Sequence, residues 1–564
     1  MMPGGMDWMQ NYGHPVPWDL TLEPMPVHRI LEDAAARTPD AACIDFLGRI
    51  YSYAEIAEAV NKAARGFQIL GVRRGIKVGL FLPNCPQYVI AYYAIMKAGG
   101  TVVNFSPLYT ADELRHQVED SETDIMVCLD VAQLYPTIAE VLESSRLRCL
   151  VVGSLADVLP TGKALLYRVF KSRERSKVKA DLRHIHFSSL LENDGLEDAP
   201  EIDVHGDIAL LQYTGGTTGT PKGAVLTHAN LSMNAQQVQA IDPEPDIEDR
   251  ILGALPLFHV FANTCVLNRT VLRGGEMVLL PKFELGLALE TIQRRRITAL
   301  PGVPTMYQAF LDSPKIAKYD LTSIRACISG GAPMAAELKA RFEAKTQAKL
   351  VEGYGLTESA GVVSVNPYET GGKPGSIGQP LPGTRIVIVD KDDPSKPPAE
   401  GEPGEITVAG PQIMRGYWKK EAATAEAFID GRLRTGDVGY IDADGYVYVV
   451  DRLKDMIVVG GFKAFPSQLE AVLYKHGAVK EALVIGVPDA YLGERPKAFV
   501  TLMPGADVTD AALLDYLNAH VGKHERAVGV EIRESLPKTM IGKLSRKELV
   551  AEERARYEAA RTAS

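Results

Sequence analysis

Tyr213-Thr214-Gly215-Gly216-Thr217-Thr218-Gly219-Thr220-Pro221-Lys222-Gly223 is the stretch on which the reading of this 564-residue chain turns. Glycines let successive backbone N–H groups turn toward one point, threonine hydroxyls add donors, and Lys222 adds a full positive charge. Such a loop is a cradle for a multiply charged anion. It is not a Walker A loop: Pro221 precedes Lys222 where that motif has Gly, and no Ser or Thr follows the lysine. The bland alternative, a flexible Gly/Thr turn, does not account for so many donors in one place.

Ile208–Tyr213, just before the cradle, is apolar and of strand length, as are Lys77–Leu82 and Asp124–Leu129. Helical patterns alternate with such runs through the first 350 residues, which predicts α/β layering around largely parallel sheets. After Gly375 shorter strands appear, at 385–389 and 405–408, and Asp444-Gly445 between 438–441 and 446–450 reads as a hairpin. From Asp451 the pattern resets: a helix over Ser467–His476 with Gly477 as its C′ residue, strands at 482–487, 498–502 and 529–533, and a helix at 511–520. The expected organisation is α/β throughout. Residues 1–453 form a large N-terminal domain of layered α/β subdomains, with a β-rich subdomain at about 375–450. Residues 454–564 form a small α/β domain.

Net charge is −10, which excludes a typical nucleic-acid binder. The six cysteines show no CxxC spacing and no accompanying metal-ligand cluster. Met1–Leu20 lacks a basic-then-apolar signal pattern, and the longest apolar run, Tyr88–Met96, is far short of a membrane span. A cytoplasmic protein with reduced thiols is expected. Lys163–Lys179 stands out against the acidic whole. Seven Lys/Arg against one Glu are interleaved with Leu165, Leu166, Tyr167, Val169 and Phe170. A solvated insertion or an amphipathic helix touching anionic lipid both fit that pattern.

Further segments follow the cradle in order: Pro256-Leu257-Phe258-His259-Val260-Phe261, Ser329-Gly330-Gly331-Ala332-Pro333, Glu352-Gly353-Tyr354-Gly355-Leu356-Thr357-Glu358-Ser359 and Thr435-Gly436-Asp437. Asp451-Arg452-Leu453-Lys454-Asp455 and Pro537-Lys538-Thr539-Met540-Ile541-Gly542-Lys543 complete the series. With the cradle they resemble the signatures of the adenylate-forming superfamily of acyl-CoA synthetases, peptide-synthetase adenylation domains and luciferases, over about residues 25–550. The resemblance implies an acid–CoA ligase using ATP, Mg²⁺ and coenzyme A. Thr214, Thr217, Thr218 and Lys222, with Gly215, Gly216 and Gly219, would hold the β- and γ-phosphates. Glu358 would hold the metal, and Thr357 the α-phosphate. Gly331-Ala332-Pro333 and Gly353-Tyr354-Gly355 would form the adenine slot. Asp437 would take the ribose hydroxyls with Arg452 nearby, and Lys543 would supply catalytic charge. The resemblance also implies a C-terminal domain that rotates about Lys454 after the first step. Lys543 then leaves, and Gly460-Gly461-Phe462-Lys463 arrive for CoA. Acetylation of Lys543, by a lysine acetyltransferase and reversed by a deacetylase, would be a control point.

No Asp occurs between Pro256 and Leu267 to pair with an amino-acid ammonium, and a Gly-Gly-Phe-Lys loop is present, so the likeness favours CoA ligases. It is greatest to bacterial medium- and long-chain fatty-acid–CoA ligases, through Val103–Thr110 and Val363–Tyr368, with some likeness to pimeloyl (dicarboxylate) ligases. His259, Phe261, Asn263, Val303, Met306, Val362 and Val363 are the acyl-pocket candidates, mainly apolar or small. Arg269 or Asn263 would serve a distal carboxylate. The rivals are a non-catalytic fatty-acid- or nucleotide-binding protein and an aryl-acid-activating member of the same fold.

Overall fold

The computed structural model describes residues 6–214, 221–460, 462–538 and 544–562. Two large sheets build the N-terminal part. The first has seven strands in the order 184–186, 149–153, 123–129, 77–80, 101–104, 208–213, 223–227. All pairs are parallel except the last, where Tyr213 faces Gly223 across an antiparallel ladder. The cradle therefore connects two paired antiparallel strands, Ile208–Tyr213 and Gly223–Thr227. The second sheet has nine strands, and its parallel centre carries Arg250–Gly253, Ala299–Gly302, Ala326–Ser329 and Lys349–Tyr354. These strands end together at Ser329 and Tyr354, which lead into the Gly331 and Thr357 motifs.

The apolar run near residue 90 is the helix Pro86–Lys97, started by Pro86 at its first turn and buried on every face up to Met96. Its tyrosines bring hydroxyls into a dry interface, where an unmet donor costs roughly 1–3 kcal/mol. Each finds a partner: Tyr88 donates to Asn104 Oδ1 (2.8 Å) and Leu257 O (2.9 Å), Tyr92 to Asn263 Oδ1 (3.0 Å), and Tyr93 to Asn268 Oδ1 (3.1 Å). Asn84 donates to Gly253 O and Leu255 O and accepts from Leu257 N. This network ties the segments on both sides of His259 to the neighbouring subdomain.

A five-stranded antiparallel sheet follows, built from Arg385–Val389, Gly404–Ala409, Phe428–Ile429, Arg432–Ile441 and Val447–Arg452. The C-terminal part has its own five-stranded sheet. Leu469, Leu473, Leu513 and Leu517 of two helices pack on one face, and Leu549 of Lys547–Thr562 packs on the other. Here the helix runs Pro466–Tyr474 and is capped by Lys475. Gly477 is not its left-handed C′ residue, because it does not take positive φ. All six cysteines are free thiols. Among the described residues no helix is long and apolar enough to cross a membrane.

Candidate functional site

The described ends of the cradle are pinched together: Thr214 N donates to Lys222 O at 3.0 Å, and Lys222 N approaches Thr214 Oγ1 at 3.4 Å. Gly215, Gly216, Thr217, Thr218 and Gly219 lie outside the described residues, as do Gly461 and Lys543. The Lys222 ammonium sits 4.9 Å above the centroid of the Tyr417 ring. The Tyr417 hydroxyl donates to Glu358 Oε1 at 2.7 Å. Arg415–Trp418 reaches this place by pairing edge-on with the strand after the cradle: Val225 N to Gly416 O (2.9 Å), Arg415 N to Val225 O (3.0 Å) and Trp418 N to Gly223 O (2.8 Å). Met414 N also donates to Glu358 O at 2.8 Å. Tyr417 thus joins the anion cradle to the carboxylate expected to hold a metal. The sequence reading missed it, because a tyrosine in a loop carries no local signal.

A second group lies on the β-rich sheet. Asp437 and Arg452 face each other across one antiparallel ladder. Arg452 Nε is 3.0 Å from Asp437 Oδ1, and the Tyr354 hydroxyl donates to Asp437 Oδ2 at 2.5 Å. Burial, then the Asp437 carboxylate, pushes the Tyr354 phenol well above its ordinary range, so it remains a donor. Each carboxylate oxygen accepts more than one hydrogen bond, so Asp437 retains acceptor capacity for a vicinal diol. Lys454 follows in the short turn Leu453–Asp455; burial, then Arg452, lowers its pKa.

Backbone packing explains the glycine of the Tyr-Gly-Leu-Thr-Glu segment, since a Cβ at Gly355 would meet Gly361 O at 2.0 Å; Gly331, in the neighbouring loop, holds φ at +80°. Gly331 and Pro333 are exposed and Ala332 half-buried, across from Gly353 and Tyr354. What holds the two loops in register is Glu352, which accepts from Met334 N at 3.1 Å. Burial pushes the Glu352 carboxyl up to about 7.

The acyl candidates divide. His259 caps its helix, its Nδ1 accepting from Phe261 N at 3.3 Å. Phe261 and Val362 share an apolar cluster with Cys265 and Ile328. Val303 and Met306 belong to the main core, against which Phe261 also packs. Val363 turns the opposite way, into a cluster with Ile386, Ile406 and Val408 of the β-rich sheet. Asn263 is fully buried, and its Oδ1 is taken by Tyr92 and Asn268. Val363 thus packs toward the β-rich sheet, and the buried Asn263 amide nitrogen is left without a hydrogen-bond partner among the described residues. Gly460 is left-handed (φ +57°), Phe462 is exposed, and Lys463 Nζ pairs with Asp392 of the β-rich part at 2.9 Å.

An anion cradle, a carboxylate and a diol acceptor at the strand ends of layered α/β sheets, beside a small C-terminal α/β unit, define a nucleotide-binding enzyme of the adenylate-forming class. The chain belongs to the AMP-binding enzyme family: residues 31–418 match its family model, and residues 468–543 match that of the AMP-binding enzyme C-terminal domain. A long-chain-fatty-acid–CoA ligase of Bacillus subtilis (strain 168) is 40% identical over 554 residues, covering 97% of this chain and 98% of that protein. ATP-bound MatB from Rhodopseudomonas palustris superposes with a TM-score of 0.79 at 29% identity, covering 94% of this chain and 99% of that one. The o-succinylbenzoate coenzyme A synthetase (MenE) of Bacillus subtilis, in complex with ATP and a magnesium ion, gives a TM-score of 0.75 at 27% identity, covering 92% and 98%.

The raised Glu352 pKa has a direct consequence. The fold favours the neutral carboxyl, so stability declines as pH rises through the interval from the ordinary 4.5 to about 7. Glu352→Gln removes that decline, and should gain roughly 3 kcal/mol on the wild type between pH 5 and pH 8 in urea unfolding. Parallel pH profiles for the two proteins would contradict this.

Proposed function

We propose that this protein is an ATP-dependent acid–CoA ligase acting on medium- to long-chain fatty acids. The observation that carries the proposal is the joining of Lys222, Tyr417 and Glu358 beside the Tyr354–Asp437–Arg452 group. A carboxylate is a poor electrophile until one oxygen is attached to a good leaving group. In the first step a carboxylate oxygen attacks the α-phosphorus of ATP, the bond to the β-phosphate oxygen breaks, and pyrophosphate leaves. In the second, the sulfur of coenzyme A, having lost its proton, attacks the acyl carbon, and AMP leaves with the former carboxylate oxygen.

The roles fall to residues as follows. The cradle (Thr214, Gly215, Gly216, Thr217, Thr218, Gly219, Lys222) holds the leaving phosphates. Thr357 donates to the α-phosphate, Tyr354 lies against the adenine between Gly353 and Gly331-Ala332-Pro333, and Asp437 takes the ribose hydroxyls. Glu358 is the fit for Mg²⁺. No group of three or more His, Cys, Asp or Glu among the described residues could hold a metal by itself. Magnesium is ordinarily held by one or two carboxylates together with substrate phosphates. Bound there, Mg²⁺ would offset the triphosphate charge. Lys543 brings positive charge to the reacting carboxylate, at the point where charge develops on phosphorus. The domain from Lys454 onward then swivels, so that Gly460–Lys463 line the path of pantetheine. His259 and Phe261 stand at the mouth of the acyl site.

Lys543→Ala should lower adenylation by about 100-fold or more, read as pyrophosphate release, while CoA transfer to preformed acyl-AMP stays within a few fold. Acetylation of Lys543 removes the same charge and should act alike. Equal loss of both half-reactions in the alanine variant would overturn the division of labour.

The proposal includes peripheral contact with anionic membrane through 163–179. Leu165, Leu166, Val169 and Phe170 of the helix Thr161–Phe170 are 65%, 56%, 59% and 76% exposed. Basic side chains flank them, and exposed apolar side chains beside a basic cluster are what an anionic interface recruits. Sedimentation with phosphatidylglycerol vesicles should retain the wild type, and a Leu165→Ser/Phe170→Ser variant should stay in the supernatant. Equal sedimentation would remove this part of the proposal.

A further inference from the structure

The seven-stranded sheet carries a second cavity, apart from the Lys222–Tyr417–Glu358 group. Strands 123–129, 149–153 and 184–186 are parallel neighbours. The residues just past their carboxyl ends, Asp130, Ser154 and Phe187, all border one cavity of ≈ 350 Å³. Carboxyl ends of parallel strands are where open α/β sheets hold ligands, and the volume is that of a site for a small molecule. The phosphate cradle leaves the same edge of the same sheet after Tyr213, three strand positions from residue 129. That separation is about 14 Å along the edge. No step of the reaction proposed above falls to the residues of this cavity.

Its outer wall is the basic stretch 174–178, which is strapped across the strand ends. Ala132 N donates to Glu174 O at 2.8 Å, Ser176 N to Asp130 O at 2.7 Å, and Lys179 N to the Tyr135 hydroxyl at 2.9 Å. At the inner wall stands Asp130, only 4% exposed. Its Oδ2 accepts from Ser154 Oγ at 2.9 Å and from Arg175 Nε and Nη2 at 3.1 and 3.0 Å. Its Oδ1 has no hydrogen-bond partner among the described residues. A buried carboxylate oxygen left in that state is costly, and a ligand hydroxyl would relieve it.

The cations of the wall outnumber its carboxylates. Arg175 is matched by Asp130, and Arg168 by Asp157 at 3.1 Å. Lys177 is a third cation, with no carboxylate partner among the described residues. The hydroxyls of Ser176 and Ser188 add donors. A surplus positive charge among several donors suits an anion with many oxygens. The unmet Asp130 oxygen calls for a donor on the same ligand.

We propose that this cavity is a second, non-catalytic site for a hydroxyl-bearing phosphate ester. The hydroxyl donates to Asp130 Oδ1, and the phosphate lies against Lys177 and Arg168. Soluble glycerol phosphate and the headgroup of an anionic glycerophospholipid share that chemistry. Arg168 precedes the exposed Val169 and Phe170, so apolar surface adjoins the cationic wall, as a lipid headgroup requires. The site stands independently of the ligase reading; only the choice of lipid as source leans on the membrane contact proposed above.

The test is calorimetric titration of the full-length protein in excess Mg-ATP without acid, which keeps the nucleotide site filled. sn-Glycerol 3-phosphate should bind, and inorganic phosphate, lacking the hydroxyl, should bind about tenfold or more weakly. Lys177→Gln should weaken glycerol 3-phosphate by about tenfold. Ser188→Trp, placed on the exposed rim, fills the cavity and should abolish binding. Both variants should release pyrophosphate with fatty acid within about twofold of the wild type, because the two sites are separate. Displacement of glycerol 3-phosphate by phosphatidylglycerol vesicles supports the lipid source; binding that vesicles leave untouched refutes that source and keeps the site. Failure of glycerol 3-phosphate to bind the wild type, or equal binding by the wild type and both variants, overturns the inference. If Ser188→Trp does not fold, the exposed Lys177→Gln decides alone.

Discussion

The Tyr417 ring standing between an ammonium and a carboxylate is the contact on which the site depends. Lys222 lies over its face and Glu358 accepts its hydroxyl. Left to themselves, a lysine and a glutamate at one site would pair and neutralise each other. A tyrosine between them satisfies both weakly, the cation through the ring face and the carboxylate through a neutral donor. Each keeps its charge available for a ligand. The arrangement needs Arg415–Trp418 zipped against Gly223–Val225, so the edge-on pairing of two distant segments is a condition for the chemistry.

Rigidity elsewhere serves the same end. Three buried tyrosine hydroxyls and the Asn84 amide hold the segments on both sides of His259, and Glu352 locks the Gly331 loop to Gly353–Tyr354. The C-terminal part is joined more lightly, by polar contacts such as Lys463–Asp392 and Ser467 N to Asp451 Oδ2 (2.7 Å). An exposed ion pair such as Lys463–Asp392 is worth little by itself, which suits a unit proposed to swivel.

Much of this was legible beforehand for a physical reason. The cradle, Glu352–Tyr354 and Ser329–Pro333 sit at the ends of buried strands, and buried parallel strands announce themselves as apolar runs ended by glycine. Asp437 and Arg452 were legible as motif residues, while their pairing needed the ladder register. Tyr417 was invisible because its role comes from a partner strand some 190 positions away. Val362 and Val363 could not be sorted because adjacent residues in extended backbone face opposite sides, and sequence does not tell which side is the pocket. The pairing of Arg269 with Asp242 and Asp249 was not legible, because those carboxylates lie outside the helical segment that carries the arginine.

The central claim is that the acid is activated by direct attachment to the α-phosphorus. Supplying a fatty acid with both carboxylate oxygens labelled as ¹⁸O, with Mg-ATP and coenzyme A, tests it by mass spectrometry of the released nucleotide. The account predicts one labelled oxygen in AMP and none in pyrophosphate. Label recovered in orthophosphate or pyrophosphate, or ADP as the nucleotide product, would contradict it.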